Sequence, residues 1–171
     1  MKKSRFDNKG YTLVELIVVV AIMAVMIGFS VIGVRALVGP NLNKVSFALS
    51  SSLSKFRTTA MSQGQADVWE WRLEERSGVY YGVTYQNGTE YKKEEIGSKI
   101  SVSFTSGTTS FDVNVSNPLI LCFKKDTGSL VSVNGVSVTD ASLSSVSTIT
   151  ITYATRSAEV KVYSTTGKIV D

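Results

Sequence analysis

The sequence predicts an α+β protein in which a long N-terminal helix packs on an antiparallel, β-rich C-terminal head. Three observations predict it: an apolar run over residues 10–34, apolar residues three to four apart over residues 42–60, and alternation with a period of two beyond residue 66. The first half of the helix is membrane-like and the second half is amphipathic. A chain of 171 residues has room for one such helix and one head.

The apolar run is long enough to enter a membrane. It reads GYTLVELIVVVAIMAVMIGFSVIGV and contains one charge, Glu15. Twelve of residues 16–34 are Leu, Ile, Val or Phe, which favours insertion by about −4 to −7 kcal/mol. A carboxylate near mid-bilayer opposes insertion by about +2.5 to +3.5 kcal/mol. We therefore expect the segment to insert with Glu15 at its edge. An ionisable residue in such a position suggests a functional role.

The ten residues before the run, MKKSRFDNKG, carry a net charge of +3. A basic flank keeps the N-terminus in the cytoplasm and directs the chain beyond the apolar run outward. An uncleaved signal anchor fits this pattern, with Glu15 as an idle carboxylate that snorkels at the membrane boundary. The alternative is cleavage after Gly10, which would create an α-amino cation on Tyr11 within reach of a carboxylate such as Glu15.

The segment Lys9-Gly10-Tyr11-Thr12-Leu13-Val14-Glu15 resembles the processing motif of type IV pilins and type II secretion pseudopilins. In that family a short basic leader ends in Gly, an aromatic residue follows, and Glu is the fifth residue after the cut. The resemblance implies that Gly10 ends the leader and that Tyr11, where Phe is usual, becomes the N-methylated first residue. It also implies that Glu15 pairs with the terminal amine of a neighbouring subunit during assembly.

The resemblance implies partners and a location as well. The partners are a prepilin peptidase that is also the N-methyltransferase, other pilin or pseudopilin subunits, an inner-membrane assembly platform, and membrane lipid before assembly. The protein would cross the cytoplasmic membrane once, with its head outside, and then join an extracytoplasmic filament. The expected domains are a cleaved leader (1–10), a transmembrane helix half (11–37), an amphipathic helix half (38–64) and a β-rich head (65–171).

The amphipathic half is predicted from one apolar stripe formed by Leu42, Val45, Leu49, Leu53, Phe56 and Ala60. Pro40 is expected to kink or locally break the helix, and Gly64 to end it. A helix from Tyr11 to about Gln63 would measure roughly 80 Å at about 1.5 Å per residue.

The strands are predicted from alternation and turn residues. Trp69, Trp71 and Leu73 alternate with charged residues, and a second set occupies residues 79–85 with Asn87-Gly88 as a hairpin signal. The remaining strand candidates are residues 100–104, 111–115, 119–123, 130–133, 136–138, 148–153 and 159–163, with a polar loop at 142–147. The head is also loosely similar to H-type minor pseudopilins and FimT-like minor pilins, which favours a minor subunit.

Composition argues against catalysis. The chain has no His, one cysteine (Cys122) and no phosphate loop or metal-spaced cluster, so we expect no cofactor and no enzyme activity. Cys122 is interpreted as a buried small hydrophobe rather than a reactive thiol. Trp69 and Trp71 could form a sugar-binding platform, but their alternation with charges indicates first a buried strand face.

A DNA-binding minor pilin is the alternative function, with an uncleaved membrane-anchored binding module as a further one. The DNA hypothesis uses one group of basic residues: Lys124, Lys125, Arg156, Lys161 and Lys168. The total net charge of +4 falls to +1 once the leader's +3 is removed. That balance favours ordinary solvated charges over a nucleic-acid surface.

Overall fold

A computed structural model describes residues 13–24, 40–63, 68–139, 141 and 143–171. These residues form an α+β structure with two helices and two antiparallel sheets, and the chain divides into two compact units, Met1–Gly39 and Pro40–Asp171. The elements are α1 (13–24), α2 (Leu42–Ser62), β1 (Trp69–Arg76), β2 (Val79–Gln86), β3 (Thr89–Ser98), β4 (Ser101–Ser106), β5 (Thr109–Val113), β6 (Leu119–Phe123), β7 (Leu130–Val133), β8 (Val136–Ser137), β9 (Val146–Tyr153), β10 (Arg156–Tyr163) and β11 (Ile169–Val170).

The first unit contributes the helix α1 to the described residues. Residues 1–12 and 25–39 lie outside them, so the predicted extent of the membrane half, 11–37, stays a prediction. Within the described parts of the chain, no helix reaches the length and hydropathy needed to span a membrane.

Helix α2 confirms the predicted amphipathic stripe. All six residues of the stripe are buried. Pro40 and Asn41 are not helical, and the Asn41 side chain caps α2 by accepting a hydrogen bond from the Asn43 amide at 3.2 Å. The predicted break at Pro40 stays a prediction, because residues 25–39 lie outside the described residues. The helix ends at Ser62, while the predicted stop, Gly64, lies outside the described residues.

Two antiparallel sheets form the rest of the second unit. Sheet A has the order β3-β2-β1-β6-β7-β8, and sheet B has the order β11-β10-β9-β4-β5. Helix α2 contacts strands of both sheets, and its stripe joins the inward residues of those strands in one core. Trp69, Trp71 and Leu73 point into that core, which confirms the buried strand face and rules out an exposed platform of these two tryptophans.

Strand β3 and the two-residue strand β11 were not predicted from the sequence. The segment TEYKKEEIGS is highly charged because it forms an edge of sheet A, where charges discourage pairing with other chains. Tyr91 and Ile96 are extra residues at two register shifts against β2, so the alternation that marks a strand is broken twice. Strand β9 also begins at Val146, inside the predicted polar loop.

Two Asn-Gly turns are locked to neighbouring strands in the same way. The Asn134 side-chain oxygen accepts a hydrogen bond from the Ile120 amide at 2.6 Å, and the Asn134 amide donates to the Ile120 carbonyl at 2.8 Å. Asn87 makes the same pair of bonds with Val68, both at 2.8 Å. Each asparagine has a positive φ, so one residue both forms the turn and extends the sheet beyond its last strand pair.

Arg57 of α2 ties two loops of the head to the helix. Its Nε donates to the Gly128 carbonyl at 2.8 Å, and its Nη2 donates to the Thr166 carbonyl at 2.9 Å. Gly128 and Gly167 have positive φ, and a Cβ on Gly167 would collide with the Gly128 carbonyl oxygen. The loops that contain Gly128 and Gly167 therefore lie close together beneath the Arg57 guanidinium. Next to them, the Leu130 amide donates a hydrogen bond to the Ser164 carbonyl.

We expect Arg57→Met to lower the free energy of unfolding by about 1–3 kcal/mol, because two carbonyls lose a charged donor at a half-exposed site. Urea unfolding measured by circular dichroism tests this. Lys44→Met is the matched control, since Lys44 is an exposed lysine on the same helix. Equal stability of the two variants would contradict a structural role for Arg57.

Candidate functional site

Helix α1 has an unusual surface. Its residues are apolar except for Glu15, and every one of residues 13–24 is exposed. An apolar helix without a polar face is stable when lipid or other protein surrounds it. The described part of α1 therefore has the surface of a segment that another hydrophobic phase must cover.

One face of α1 has the spacing of a helix-packing seam. Leu13, Leu16, Ile17, Val20, Ala21 and Ala24 line a shallow apolar groove along it, here called the α1 stripe. These positions repeat three and four residues apart, the pattern by which side chains of one helix interlock with those of another. The alanines let a second helix approach the stripe closely.

Glu15 lies on the other side of the same helix. At about 100° of rotation per residue, it points nearly opposite to the centre of the α1 stripe. Its neighbours one turn later are Val18 and Val19, both exposed and apolar. The carboxylate and the stripe therefore face different surroundings. The other two predicted site residues, Gly10 and Tyr11, lie outside the described residues.

The basic residues of the DNA hypothesis lie in different parts of the head. Lys124 pairs with Asp126 at 3.1 Å, and Lys161 pairs with Glu159 at 3.3 Å. Arg156 begins β10, whereas Lys168 lies beyond its other end. Those ends of β10 are about 20 Å apart at about 3.3 Å per residue. Two of the five basic residues are therefore paired with acids, and Arg156 lies apart from Lys168.

The outer face of sheet A carries a connected ionic network. Arg72 contacts Glu70 at 2.7 Å, and its guanidinium lies 4.2 Å from the centre of the Tyr85 ring. Arg76 bridges Glu74 and Glu90, at 2.8 and 2.9 Å.

The charged groups of the network pair with one another. Val83, which lies on the same strand as Tyr85, is fully buried. Because its members pair internally, we interpret the network as structural.

Cys122 lies on this outer face, which corrects the interpretation of a core residue. Strand β6 points Leu119, Leu121 and Phe123 inward, so Cys122 points outward and is only half buried. Burial nevertheless raises the pKa of its thiol, with a hydrogen bond from Ser132 opposing that effect. The thiol form is therefore favoured over the thiolate, which is the nucleophilic form.

A polar cluster that the sequence did not reveal joins α2 to strand β3. The buried Trp71 indole donates to Ser52 Oγ at 3.2 Å, and Ser52 in turn hydrogen-bonds Glu94. Lys55 and Lys92 contact the same Glu94 oxygen at 3.3 and 3.0 Å. The feature of the sequence that could have indicated this cluster is Ser52, a residue with a hydroxyl group at a buried position of α2.

Gly82 makes room for this cluster. A Cβ there would lie 2.6 Å from Ser52 Oγ and 3.0 Å from Trp71 Cζ2. Partial burial alone would raise the pKa of Glu94, but the hydrogen bonds from Lys92, Ser52 and Lys55 outweigh burial. They hold that pKa below its ordinary value of 4.5. The cluster is an internal tie rather than a binding site, and the described residues contain no group of acids, His or Cys arranged for a metal.

The comparisons with known proteins bear on the N-terminal segment. Residues 5–31 match the family model of the prokaryotic N-terminal methylation motif, a range that includes Gly10, Tyr11 and Glu15. No curated protein and no solved structure matches the chain. The motif supports the type IV pilin and pseudopilin family and suggests a membrane-anchored filament subunit. It implies processing by a prepilin peptidase and assembly with other pilins.

We expect the contribution of Glu94 to stability to depend on pH. Because its folded pKa is lowered, the contribution is present above its unfolded pKa of about 4.5 and is lost as the pH falls through the folded value. The difference in unfolding free energy between the unmodified chain and Glu94→Gln should therefore shrink between neutral pH and pH ~3.

Urea titrations at both pH values give this difference. Glu95→Gln controls for removing a charge from β3 outside the cluster. A difference that stays constant or grows toward acid pH would contradict the ionic tie.

Proposed function

We propose that this protein is a minor pilin or pseudopilin, a structural subunit of a type IV pilus or a type II secretion pseudopilus, and not an enzyme. The observation that carries the proposal is the methylation motif over residues 5–31, joined to an apolar helix whose one charge is Glu15. The minor type, close to H-type pseudopilins or FimT-like pilins, rests on the sequence resemblance of the head alone.

In this proposal the peptidase cuts after Gly10 and methylates the new amine of Tyr11. The subunit waits in the cytoplasmic membrane as a single-pass protein with its head outside, and an inner-membrane assembly platform extracts it into the filament. Glu15 then neutralises the terminal amine of a neighbour in an apolar environment. Removing one partner of such a buried pair costs about 3–5 kcal/mol, because the other charge is left uncompensated.

The surface of α1 supports a two-sided role in assembly. The α1 stripe can pack against one neighbouring helix while Glu15, on the opposite side, meets the amine of another. A contact that uses different patches on its two partners propagates as a helical polymer and does not close into a dimer. The head has a core of its own, so it can remain folded while the helix changes from lipid to protein surroundings.

Variants of Glu15 test the proposal in cells that assemble the filament. We expect Glu15→Gln to reduce the amount of this subunit in sheared filaments by at least about tenfold, from the cost of the unpaired amine. Cleavage and the amount of protein in the membrane should be unchanged. Glu15→Asp, which keeps the charge on a shorter side chain, should be less severe.

Lys44→Gln, a charge change on an exposed site of α2, is the matched control and should assemble normally. Normal assembly of Glu15→Gln would contradict the pairing role. An unprocessed, membrane-bound chain that never enters filaments would instead favour an anchored binding module.

A further inference from the structure

The sequence contains the acceptor pattern Asn-x-Ser/Thr twice, at Asn87-Gly88-Thr89 and at Asn114-Val115-Ser116. This pattern is the acceptor for N-linked glycans on surface loops of exported proteins. The two sites have the same local sequence logic but very different surroundings in the fold, so the structure can distinguish them.

Asn87 is held within a hairpin turn. Its side-chain oxygen accepts from the Val68 amide, and its own amide donates to the Val68 carbonyl, both at 2.8 Å. Thr89 is already the first residue of β3 and is paired with Gln86. A transferase would have to break the end of sheet A to bind this site.

Asn114 lies outside the sheets, directly after β5. Asn114, Val115 and Ser116 are all exposed, and Val115 is 70% exposed. The Asn114 side-chain oxygen accepts from the amides of Ser116 and Asn117 at 2.9 and 3.0 Å. This turn brings the acceptor side chain and Ser116 together at the surface.

The side-chain nitrogen of Asn114 is only weakly engaged. It contacts the Asp112 carbonyl at 3.4 Å, beyond the usual range for an N–H···O hydrogen bond. The nucleophilic atom is therefore accessible without opening the fold.

Asp112 gives the second site a further distinction. It is an exposed acid two residues before Asn114, so it offers a transferase a carboxylate that a basic side chain can bind beside the acceptor. Tyr85 occupies the corresponding place before Asn87. Both accessibility and charge therefore favour Asn114 over Asn87.

The position also has a structural use. Strand β5 is an edge of sheet B, and Asp112 is the one charged residue in its five-residue segment. The β3 edge, by contrast, has two register shifts and five charges that discourage pairing. A bulky glycan immediately after β5 would cover this less protected edge and the exposed Val115.

We propose that Asn114 is an N-glycosylation site of the folded head. The donor is an oligosaccharide on a lipid phosphate or pyrophosphate carrier. Asn114 Nδ2 forms a bond to C1 of the first sugar while the bond from C1 to the carrier's phosphate oxygen breaks. The phosphate leaves with the electron pair, and the proton lost from Nδ2 neutralises it. The proposal rests on the proposed function only in that the head must be exported.

The test uses the purified full-length chain in detergent, which makes it independent of export. The folded chain is incubated with a bacterial oligosaccharyltransferase and its lipid-linked oligosaccharide, and the products are mapped by mass spectrometry. We expect a single glycan, at Asn114. Ser116→Ala should abolish it while keeping the backbone amide that bonds Asn114. Ser116→Thr and Asn87→Gln should retain it, and Asp112→Asn should lose most of it.

The proposal is overturned if the folded chain stays unmodified while the urea-unfolded chain is glycosylated at Asn114, or if the glycan is found on Asn87. No modification of either form, with a standard acceptor peptide modified in parallel, overturns it as well. The chain carrying Glu15→Gln should be glycosylated normally, so a failure of filament assembly and a failure of this proposal give different results.

Discussion

The need to cover the surface of α1 is the constraint on which the other features of this protein depend. Residues 13–24 present apolar side chains on every side of a helix, with one carboxylate among them. Water does not stabilise such a surface, so lipid or other apolar helices must surround it. Both surroundings are poor for an unpaired charge. In the proposed function, the amine released by cleavage before Tyr11 is the cation that pairs with Glu15 once the subunit is in the filament.

The head meets the opposite requirement, since it must stay folded whatever happens to the helix in front of it. Its core combines the stripe of α2 with inward residues of both sheets, and polar ties fix the elements around that core. Arg57 joins two loops to the end of α2, and Glu94 joins the β3 edge to its middle. These ties use side chains of α2 that project beside its apolar stripe. One helix therefore serves both as core and as attachment point.

The sequence predicted the elements whose side chains obey a simple period. The stripe of α2, the inward tryptophans of β1 and the turn at Asn87 all result from local spacing. The sequence did not reveal β3, because an edge strand is charged and its two extra residues break the alternation. Cys122 was placed on the wrong side, since an almost wholly apolar segment hides which residues face inward. The Ser52–Glu94 cluster is formed by residues that are far apart in the chain, and local periodicity cannot predict such contacts.

For the candidate site, sequence and structure contribute in different ways. The processing motif is a local pattern and could be found by inspection, whereas Gly10 and Tyr11 lie outside the described residues. The structure adds that Glu15 and the α1 stripe lie on opposite faces of one helix, an arrangement that suits contact with two neighbours. It also separates two residues of the DNA hypothesis, because Arg156 and Lys168 lie at opposite ends of β10.

The most direct test of the central claim is the mass of the N-terminal peptide from protein isolated out of assembled filaments or membranes. We expect a mature chain that begins at Tyr11 with a methylated α-amine. A chain that still begins at Met1, recovered from cells whose prepilin peptidase is active, would contradict the claim, since Tyr11 would then carry no free amine for Glu15 to meet.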